Sequence, residues 1–512
     1  MTKFFLILIL IIIGKEIKIT ITIKIRNQFF FCRFGKFATL PAMPIPVIST
    51  AQMREWEAAT WATGQTEAEV IRRAGKRVAR RARKLTRADD TILFLIGKGH
   101  NGDDARAAAK QLEGRRAEVL EMFLPDTDLL PLESALKEKP ALVVDGLFGI
   151  GLNRPLSESW QKIISAINAS KIPVLAIDVP SGLNADTGET FGAAIAAAVT
   201  LTIGAPKTGL LAPVARPLVG RLEVAEDVGL VPCPLASELN WTLPEDFEQF
   251  PPSRKVAGNK GDFGHVAIVA GSFGYHGAAV LAVRGAQRAQ PGLATLFTQE
   301  EIYHPVAAQL QSAMVQLWKP ELKLSDIATA ALVGPGLATP AVRAAMKDFT
   351  RHLWRLAAFP LVVDASALDF LAAEPFQKNF IRVLTPHPGE AARLLKSTAA
   401  QVQADRVAAL RELSQKYGDC WVVLKGHETL VGRSTGNIFV NGSGNAHLAQ
   451  GGSGDLLAGF IAGLLAQPAL QADVEKTLRY AVWQHGAAAD KLSLTRGNWT
   501  VEDLAAEIGN AR

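Results

Sequence analysis

The sequence predicts an α/β protein with two domains, each built on a mostly parallel sheet. Short apolar runs that suit strands buried on both faces alternate with longer stretches of helical periodicity, as in sheets whose parallel strands are joined by crossover helices. The alternation is interrupted once, at residues 231–252, by a Pro-rich and acidic segment without sustained periodicity. The 512 residues suffice for two large domains, because one domain takes roughly 100 to 200 residues.

The first series of strands defines a predicted domain at residues 43–230, in which each strand ends in a loop that contains glycine. Ligands of such sheets bind at the carboxyl ends of the strands, so a site is expected among these loops. The predicted strands with their loops are TILFLIG (91–97), ALVVDGLFG (141–149), VLAIDVPSG (174–182) and AVTLTIGAP (198–206).

The second series follows the segment 231–252, which we interpret as a linker, and defines a predicted domain at residues 253–512. Its apolar runs again alternate with helical stretches, which predicts a second α/β domain. The predicted strands with their loops are HVAIVAGS (265–272), GLATLFT (292–298), ALVGPG (331–336), PLVVDASAL (360–368), RVLTPHPGE (382–390) and CWVVLKG (420–426).

Residues 1–42 differ in composition from the rest of the chain, being rich in Ile, Phe and Lys where the remainder is rich in Ala, Gly and Leu. Their uninterrupted apolar run, residues 4–13, is too short to span a bilayer, which takes about 20 residues. We interpret residues 1–42 as mistakenly translated upstream sequence, a doubtful extension with the natural start at Met43. A targeting or anchoring segment is the alternative.

The charge of the chain does not favour a nucleic-acid partner. The 55 basic and 49 acidic residues become 48 of each once the first 42 residues, with seven basic and one acidic, are set aside. A neutral body exerts no general attraction on nucleic acid. Beyond residue 42 only Cys233 and Cys420 remain, without the spacing of a disulfide framework or a metal site. We therefore expect a cytoplasmic homo-oligomer that acts on small molecules and has no membrane contact.

The most informative motif is QGGSGDLLAGFIAGLL, a glycine-rich turn at residues 450–465 that leads into an apolar helix. Gly451, Gly452 and Gly454 leave backbone N–H groups accessible at a helix N-terminus, which favours a phosphate group there. Asp455 can accept a proton from a substrate hydroxyl. The combination predicts a nucleotide-dependent enzyme. The alternative is an ordinary helix start with Asp455 as its cap.

Polar residues follow three predicted strands of the first domain. GKGHNGDDARAAA places Asn101 and Asp104 in a strand-to-helix turn, while Asp145 and Asp178 end their strands and Ser181 lies just beyond. Because the carboxyl ends of parallel strands lie at one edge of a sheet, we expect these groups to converge on one crevice. Oxygen ligands of this kind suit a hard cation better than zinc.

The motifs GKGHNGDD, VVDGLFGIGL and AIDVPSGLNADTG resemble the three signatures of the YjeF N-terminal domain, the Rossmann-like NAD(P)H-hydrate epimerase, over about residues 45–230. The resemblance implies that Asn101, Asp145 and Ser181 hold a potassium ion. It also implies that Asp178 is the acid or base at the epimerising carbon, which bears a hydroxyl group and a nitrogen and needs proton transfer to invert. The residues implied in binding the hydrated dinucleotide are His100, Asn101, Gly102, Asp103, Asp104, Gly149, Ile150, Gly151, Leu152, Asn153, Arg154, Pro155 and Asp178.

The family's turn is usually GxGNNGGDG, and this chain departs from it at three positions. His100, Asp103 and Ala105 stand where Asn, Gly and Gly are expected. Asp103 adds a negative charge near the phosphates of a dinucleotide, and Ala105 removes the freedom for positive φ. These departures favour an altered or weak epimerase, and a non-catalytic dinucleotide-binding module is the alternative for this half.

The loops of the second domain place further groups at strand ends. TPHPGE contributes His387 and Glu390, KGHET contributes Lys425, which can contact phosphate, and GNAHLAQGGSGD ends in Asp455. Small residues at 271–277 permit the close approach of a large flat or phosphorylated ligand. For the Ala-rich stripe that follows them, we favour tight helix packing.

In order and spacing these motifs resemble the YjeF C-terminal domain, the ribokinase-like ADP-dependent NAD(P)H-hydrate dehydratase, over about residues 250–510. The resemblance implies that Asp455 is catalytic and that it contacts the hydrated dinucleotide together with Gly336 and His387. It further implies ADP as co-substrate and Mg²⁺ as cofactor. The residues implied in binding the adenine nucleotide are Lys425, Gly426, His427, Glu428, Thr429 and Gly454.

Two details distinguish this chain within the wider superfamily. Ribokinase relatives often carry Asn-x-x-Glu for magnesium where this chain has His-Pro-Gly-Glu at residues 387–390, and the difference favours a dehydratase over a kinase. The family's GNPGMA is GNAHLA here, so Ala446 and His447 alter the pocket edge without changing Asp455.

Together the two resemblances imply a bifunctional repair enzyme with K⁺ in its epimerase domain. One domain interconverts the R and S epimers of NADH hydrate and NADPH hydrate, and the other dehydrates the S form to NAD(P)H with conversion of ADP to AMP and phosphate. In the dehydratase, Asp455 deprotonates the ring hydroxyl, which attacks the terminal phosphate of the nucleotide. The alternative function is a ribokinase-superfamily small-molecule kinase with a non-catalytic dinucleotide-binding N-terminal module.

Overall fold

The computed structural model describes residues 6–13, 16–25, 28–33, 44–373 and 380–511, and divides the chain into a unit that ends at Pro44 and a unit of residues Ile45–Arg512. In the first unit, three antiparallel strands pair in chain order. They are β1 (Leu6–Ile13), β2 (Glu16–Ile25) and β3 (Gln28–Arg33). The proposed start at Met43 lies outside the described residues.

The second unit begins with a short strand, β4 (Ile45–Pro46), and contains two sheets. The first of these has six parallel strands in the order β10-β9-β8-β7-β5-β6. Its strands are β5 (Thr91–Ile96), β6 (Arg116–Glu121), β7 (Leu142–Gly146), β8 (Val174–Ile177), β9 (Val199–Ile203) and β10 (Arg221–Ala225).

Helices cover both faces of this sheet, as β5 illustrates. Ile92, Phe94 and Ile96 belong to one apolar cluster, while Leu93 and Leu95 belong to another on the opposite face. A strand that is buried on both faces needs a continuous apolar sequence, which TILFLI supplies. The helices are α1 (Thr50–Trp61), α2 (Glu67–Leu85), α3 (His100–Lys110), α4 (Pro125–Lys137), α5 (Glu158–Ala169) and α6 (Arg216–Val219).

The second sheet of this unit has eleven strands in the order β14-β13-β12-β15-β16-β17-β18-β19-β20-β11-β4. From β14 to β18 in this order, each strand is parallel to its neighbours in that stretch. β19 is antiparallel to both of its neighbours. The strands are β11 (Leu239–Thr242), β12 (His265–Val269), β13 (Leu293–Thr298), β14 (Met314–Leu317), β15 (Ala330–Val333), β16 (Leu361–Val363), β17 (Arg382–Leu384), β18 (Trp421–Leu424), β19 (Thr429–Gly432) and β20 (Ile438–Asn441).

Helices again form a layer on each face of the larger sheet, so the predicted α/β class is confirmed for both halves of the second unit. They are α7 (His276–Arg288), α8 (Glu300–Ala307), α9 (Pro340–Leu356), α10 (Pro388–Leu395), α11 (Ala399–Ala404), α12 (Arg406–Lys416), α13 (Ser453–Leu465), α14 (Pro468–Gln471), α15 (Val474–Thr495) and α16 (Val501–Glu507). Within the described ranges, no helix has the length and apolar character of a membrane span.

The segment 231–252, interpreted above as a linker, contains a strand. β11 pairs in parallel with β20 and antiparallel with β4, so the first strand of the second unit and the start of its second half share one sheet edge. The sequence LNWT is too short to show a periodic pattern, which is why the strand is not visible from the sequence. Trp241 is 4% exposed and packs into the core of the larger sheet.

The position of α13, the helix that carries Asp455, is fixed by its close packing against α7. Gly459 faces the carbonyl oxygen of Ala282, Gly463 faces that of Ala286, and Gly285 faces that of Leu456, so an added methyl group at any of the three glycines would overlap backbone atoms. The small residues of this region therefore serve helix packing, as the Ala-rich stripe predicts. The contact fixes where the N-terminus of α13 lies.

We predict that Gly459→Ala destabilises the protein by about 1–3 kcal/mol, because the added Cβ forces α7 and α13 apart in a close-packed core. Chemical denaturation of the purified variant measures the change. Gly497→Ala is the matched control, since an added Cβ there meets no atom within 4 Å. Equal stability of the two variants would show that the helix contact tolerates expansion.

Candidate active sites at the two sheet edges

A cavity of about 790 Å³ lies at the carboxyl edge of the six-stranded sheet. Three of the residues predicted to bind substrate, Gly102, Asp103 and Pro155, are not among its lining residues. The predicted residues that do line it are His100, Asn101, Asp104, Gly149, Ile150, Gly151, Leu152, Asn153, Arg154 and Asp178. The structure thus brings together groups from four loops, as expected for parallel strands that end at one edge.

Asp178 follows β8 with a positive φ of 62°, and one of its carboxylate oxygens is fully used by the protein. Its Oδ1 accepts hydrogen bonds from Thr202 Oγ1 at 3.0 Å, from the Ile203 amide at 3.0 Å and from Lys207 Nζ at 2.5 Å. The other oxygen, Oδ2, makes no hydrogen bond within the described part of the chain. Asp178 is thereby held by one oxygen and presents the second to the cavity.

Lys207 is a functional group that the sequence analysis did not identify. Its side chain is fully buried, and its Nζ also donates to Thr202 Oγ1 at 3.1 Å and to the Ile203 carbonyl at 2.9 Å. A buried ammonium needs such an ion pair, since leaving it unpaired is costly. Lys207 comes four residues after β9, so the rule that singled out Asp178, a charged residue just past a strand end, also identifies it.

Three further carboxyl groups, those of Asp104, Glu57 and Glu67, line the same cavity. Burial raises the pKa of Asp104 well above its ordinary value of 3.8, and the negative charge of Asp178 adds to the effect. Burial also raises the pKa of Glu57, which lies on α1 and was not predicted as a site residue. The cavity therefore contains two carboxyl groups whose surroundings favour the protonated acid, the form that can donate a proton.

The three residues predicted to hold a potassium ion lie close together around Phe148, and of the three only Asn101 lines the cavity. Ser181 Oγ donates to Asp145 Oδ1 at 2.6 Å, and the Asn101 amide donates to the carbonyl oxygens of Phe148 at 2.8 Å and Ile177 at 3.0 Å. Asp145 is fully buried, and burial raises its pKa to about 6. All of its hydrogen-bond partners in the described chain are neutral, so no side-chain cation compensates its charge.

The three departures in the 100–105 turn have structural consequences of their own. His100 Nε2 lies 2.5 Å from Glu67 Oε1, and Asp103 Oδ1 accepts from Arg106 Nη1 at 2.6 Å, so the added charge of Asp103 is paired. Ala105 lies inside α3 with a helical backbone, and no positive φ is required of it. The turn thus accommodates its unusual residues.

The second candidate site lies at the carboxyl edge of the larger sheet, where the loops after β12, β15, β16, β17 and β18 meet the N-terminus of α13. Gly336 has a positive φ of 67°, and its carbonyl oxygen accepts from Ser272 Oγ at 2.7 Å, which ties the first two loops together. His387 begins α10, and its Nδ1 accepts from the Gly389 amide at 3.0 Å. The His387 side chain is 54% exposed, so its Nε2 remains accessible.

Lys425 is the centre of this site. Its Nζ donates to Asp364 Oδ1 at 2.8 Å, lies 4.0 Å from Glu390 Oε2, and sits 3.2 Å from where a Cβ would stand at Gly454. The ammonium group therefore lies directly beside the glycine-rich turn. Among the residues predicted to contact the nucleotide, Lys425 and Gly454 are neighbours in space.

Asp455, in the first turn of α13, belongs to the same charged cluster. Its pKa is raised to about 7, mainly by burial and also by the negative charges of Asp364 and Glu390, while the positive charge of Lys425 acts in the opposite direction. A carboxyl group with a pKa near neutrality can take up and release a proton under physiological conditions. The position and the proton affinity of Asp455 both suit a general base.

Asp364 was missed by the sequence analysis although a signal for it existed. It directly follows β16 in the run PLVVDASAL, as Asp145 and Asp178 end their own strands. Its carboxylate is 1% exposed and accepts from Thr385 Oγ1 at 2.7 Å in addition to Lys425. The strand-end rule, applied to every predicted strand, finds this residue.

Arg406 holds the turn at residues 425–429 through hydrogen bonds to backbone carbonyl oxygens. The guanidinium group of Arg406 donates to the carbonyl oxygens of His427, Glu428 (3.2 Å) and Leu424 (2.9 Å), which orients the turn. The side chain of Glu428 is 8% exposed, and burial raises its pKa to about 7. Glu428 thus points into the protein, whereas the His427 side chain is 56% exposed.

The glycine-rich turn itself is held by a buried histidine. His485 Nε2 lies 3.2 Å from Ser453 Oγ and 3.1 Å from the Ser453 carbonyl oxygen, and burial lowers the pKa of His485 to about 4. Gly452 has a φ of 93°, which only glycine adopts without strain. The turn presents the amide groups of the first turn of α13 beside Lys425 and Asp455, an arrangement that is chemically suited to hold a phosphate group and to accept a proton.

Comparisons with known proteins match both halves of the chain. The family model described as NAD(P)H-hydrate dehydratase matches residues 266–510. The model described as YjeF-related protein N-terminus matches residues 67–135 and 126–209. Among solved structures, the ADP/ATP-dependent NAD(P)H-hydrate dehydratase of Bacillus subtilis co-crystallised with ATP and Mg²⁺ is 29% identical, with a TM-score of 0.46 over 51% of this chain and 92% of that chain.

Curated relatives match across both halves at once. The bifunctional NAD(P)H-hydrate repair enzyme Nnr of Gloeobacter violaceus is 35% identical over 490 residues, which are 87% of this chain and 93% of the relative. The enzyme of the same description from Escherichia coli strain K12 is 33% identical over 85% of this chain and 87% of the relative. The chain belongs to the family of bifunctional NAD(P)H-hydrate repair enzymes.

Proposed function

We propose that this protein epimerises R- and S-NAD(P)H hydrate in its first half and dehydrates the S form with ADP in its second half. The observation that carries the proposal is the position of Asp455, a carboxyl group with a pKa of about 7 beside a phosphate-binding turn and Lys425. The curated relatives, which match over both halves, are named as bifunctional repair enzymes.

In the dehydratase half, hydroxide is a poor leaving group and must first be activated. Asp455 takes the proton of the ring hydroxyl, whose oxygen attacks the terminal phosphate of ADP and releases AMP. The amide groups of the glycine-rich turn and the ammonium group of Lys425 stabilise the negative charge of the transferred phosphoryl group. The ring nitrogen's electron pair then expels phosphate, and loss of a ring proton restores NADH or NADPH.

Mg²⁺ fits this half as an ion that arrives with the nucleotide. The described residues contain no group of three or more His, Cys, Asp or Glu side chains placed to hold a metal ion. Magnesium is usually held by substrate phosphates with one or two protein carboxylates, and Glu390 supplies such a carboxylate here. When bound, the ion would neutralise part of the phosphate charge.

In the epimerase half, Asp178 is the group that moves a proton at the epimerising carbon. Its free oxygen faces the cavity, and the ion pair with Lys207 fixes the carboxylate in place. K⁺ fits the cluster of Asn101, Asp145 and Ser181, because Asp145 is buried without a side-chain cation and the side-chain atoms that can act as metal ligands are oxygens. A bound potassium ion would supply that positive charge.

The small-molecule kinase with a non-catalytic first half is not favoured. The relatives that match across the chain are repair enzymes, and the first half contains an acid–base cavity rather than a bare binding cleft. The cytoplasmic location and the homo-oligomeric state stay predictions from the sequence.

We predict that the protein converts both epimers of NADH hydrate to NADH when ADP is present. Asp178→Asn should restrict conversion to the S form, and Asp455→Asn should lower NADH formation from either epimer by about 10²- to 10⁴-fold, the usual contribution of a general base. Separated epimers are supplied with ADP, with ATP or with neither, and recovery of NADH absorbance is followed. Turnover of the R epimer by Asp178→Asn at the wild-type rate would contradict the epimerase assignment.

We predict that kcat of the dehydratase rises with pH through about 7, because Asp455 must lose its proton to act as base and its pKa lies there. Asp364→Asn should move the profile to lower pH, since it removes a negative charge that raises this pKa. The rate is measured at saturating ADP and S epimer between about pH 5 and 9. A profile that is flat across neutrality, or one that Asp364→Asn moves upward, would exclude Asp455 as the titrating base.

A further inference from the structure

The cavity at the edge of the six-stranded sheet contains more carboxyl groups than one buried lysine can neutralise. Asp178, Asp104 and Glu57 all line it, and the one deeply buried basic group among the described residues around it is Lys207, which is paired with Asp178. The other basic side chains that line the cavity, Arg54, Lys98 and Arg154, are exposed at its rim, where they suit the phosphates of a dinucleotide. The cavity therefore contains carboxyl groups that no buried basic side chain of the described residues neutralises. Such a carboxyl group can have a different role from that of Asp178.

Glu57 has the features of such a group. It is half-buried, and within the described residues it makes no hydrogen bond or ion pair, although Lys207, Asp178, His100 and Glu67 are near enough to act on its charge. Burial and the charge of Asp178 raise its pKa, which favours the protonated acid. An unpaired carboxyl group at a cavity wall is free to bond to a ligand.

The surroundings of α1 fix where Glu57 stands. Met53 and Trp56 on α1 pack with Ala205, which lies two residues before Lys207, and Trp56 Nε1 donates to the Val231 carbonyl oxygen at 2.9 Å. The helix is thus attached to the loop that carries the partner of Asp178. Glu57 reaches the cavity from a different element than Asp178, which comes from the end of β8.

The chemistry of epimerisation requires an acid as well as a base. The hydroxyl group points to one face of the ring in one epimer and to the other face in the second epimer. If the ring opens, a base removes the hydroxyl proton, the oxygen forms a carbonyl group, and the carbon–nitrogen bond breaks with its electron pair on nitrogen. The nitrogen must then receive a proton, because a nitrogen anion is a poor leaving group.

We propose that Glu57 is the second acid–base group of the epimerase, which protonates the ring nitrogen while Asp178 deprotonates the hydroxyl. After the carbonyl group rotates, the nitrogen attacks its carbon from the other face and returns its proton to Glu57, and the oxygen regains a proton from Asp178. The cycle leaves both side chains as they began and consumes no co-reactant. Asp104 is 8% exposed and more enclosed than Glu57, and its buried carboxyl group reinforces the acidic surroundings.

The inference rests on the proposed epimerase function, and its test uses the full-length protein without ADP, so that the dehydratase is silent. R-to-S interconversion of NADH hydrate is followed by chromatography. We expect Glu57→Gln to lower kcat by about 100-fold or more while KM changes little, and Glu57→Asp to restore part of the rate, since it keeps the carboxyl group. Glu55→Gln is the matched control, because Glu55 lies on the same helix but is exposed and does not line the cavity.

The outcomes separate the two claims. Dehydration of the S epimer with ADP verifies that the dehydratase half of each variant is folded, and Glu57→Ala serves as a second variant if Glu57→Gln is not stable. Wild-type kcat in Glu57→Gln, or a loss confined to KM, overturns the role of Glu57 while leaving the epimerase intact. Full epimerase activity in Asp178→Asn overturns the role of Asp178, and absence of R-to-S interconversion by the wild-type protein overturns the proposed epimerase function itself.

Discussion

A buried aspartate–lysine ion pair lies at the carboxyl edge of each large sheet, and both sites depend on it. Asp178 is paired with Lys207 in the first sheet, and Asp364 is paired with Lys425 in the second. Each pair joins loops that follow different strands, so the loops cannot shift independently without leaving a charge unpaired in a buried place. The pairs thereby hold the reactive groups in position while leaving one carboxylate oxygen or one neighbouring carboxyl group free for chemistry.

The aspartate–lysine ion pair has a different role in each of the two sites. In the first, the paired aspartate is the base that we propose for the epimerase, and its second carboxylate oxygen makes no hydrogen bond within the described residues. In the second, the pair is a support, since the lysine borders the glycine-rich turn and the paired aspartate raises the pKa of Asp455. Phosphoryl transfer needs a positive group beside the phosphate and a base beside the hydroxyl, whereas epimerisation through an opened ring needs an acid and a base within one cavity. One structural device thus serves two reactions.

Much of the fold and part of each site follow from the sequence. Ten apolar runs correspond to strands of the two large sheets, because strands buried on both faces need continuous apolar sequence. Edge strands such as β6 (RAEVLE) are half-exposed and polar, so they give no such signal. Asp178 and Asp455 were found from their positions after a strand and a glycine turn. Lys207 and Asp364 also follow strands, but the sequence does not show that Lys207 is paired with Asp178 or that Asp364 is paired with Lys425. The placement of Gly102 and Asp103 outside the cavity is likewise a tertiary property.

The central claim is that the glycine-rich turn, Lys425 and Asp455 together bind and activate a terminal phosphate. A crystal structure of the protein with ADP and Mg²⁺ tests it most directly. We expect the terminal phosphate to accept hydrogen bonds of about 2.7–3.2 Å from the amide groups at the start of α13 and to lie beside Lys425, with the Asp455 carboxylate facing an open space for the hydroxyl. ADP bound with its phosphates away from the 451–455 turn would show that this turn does not bind the terminal phosphate.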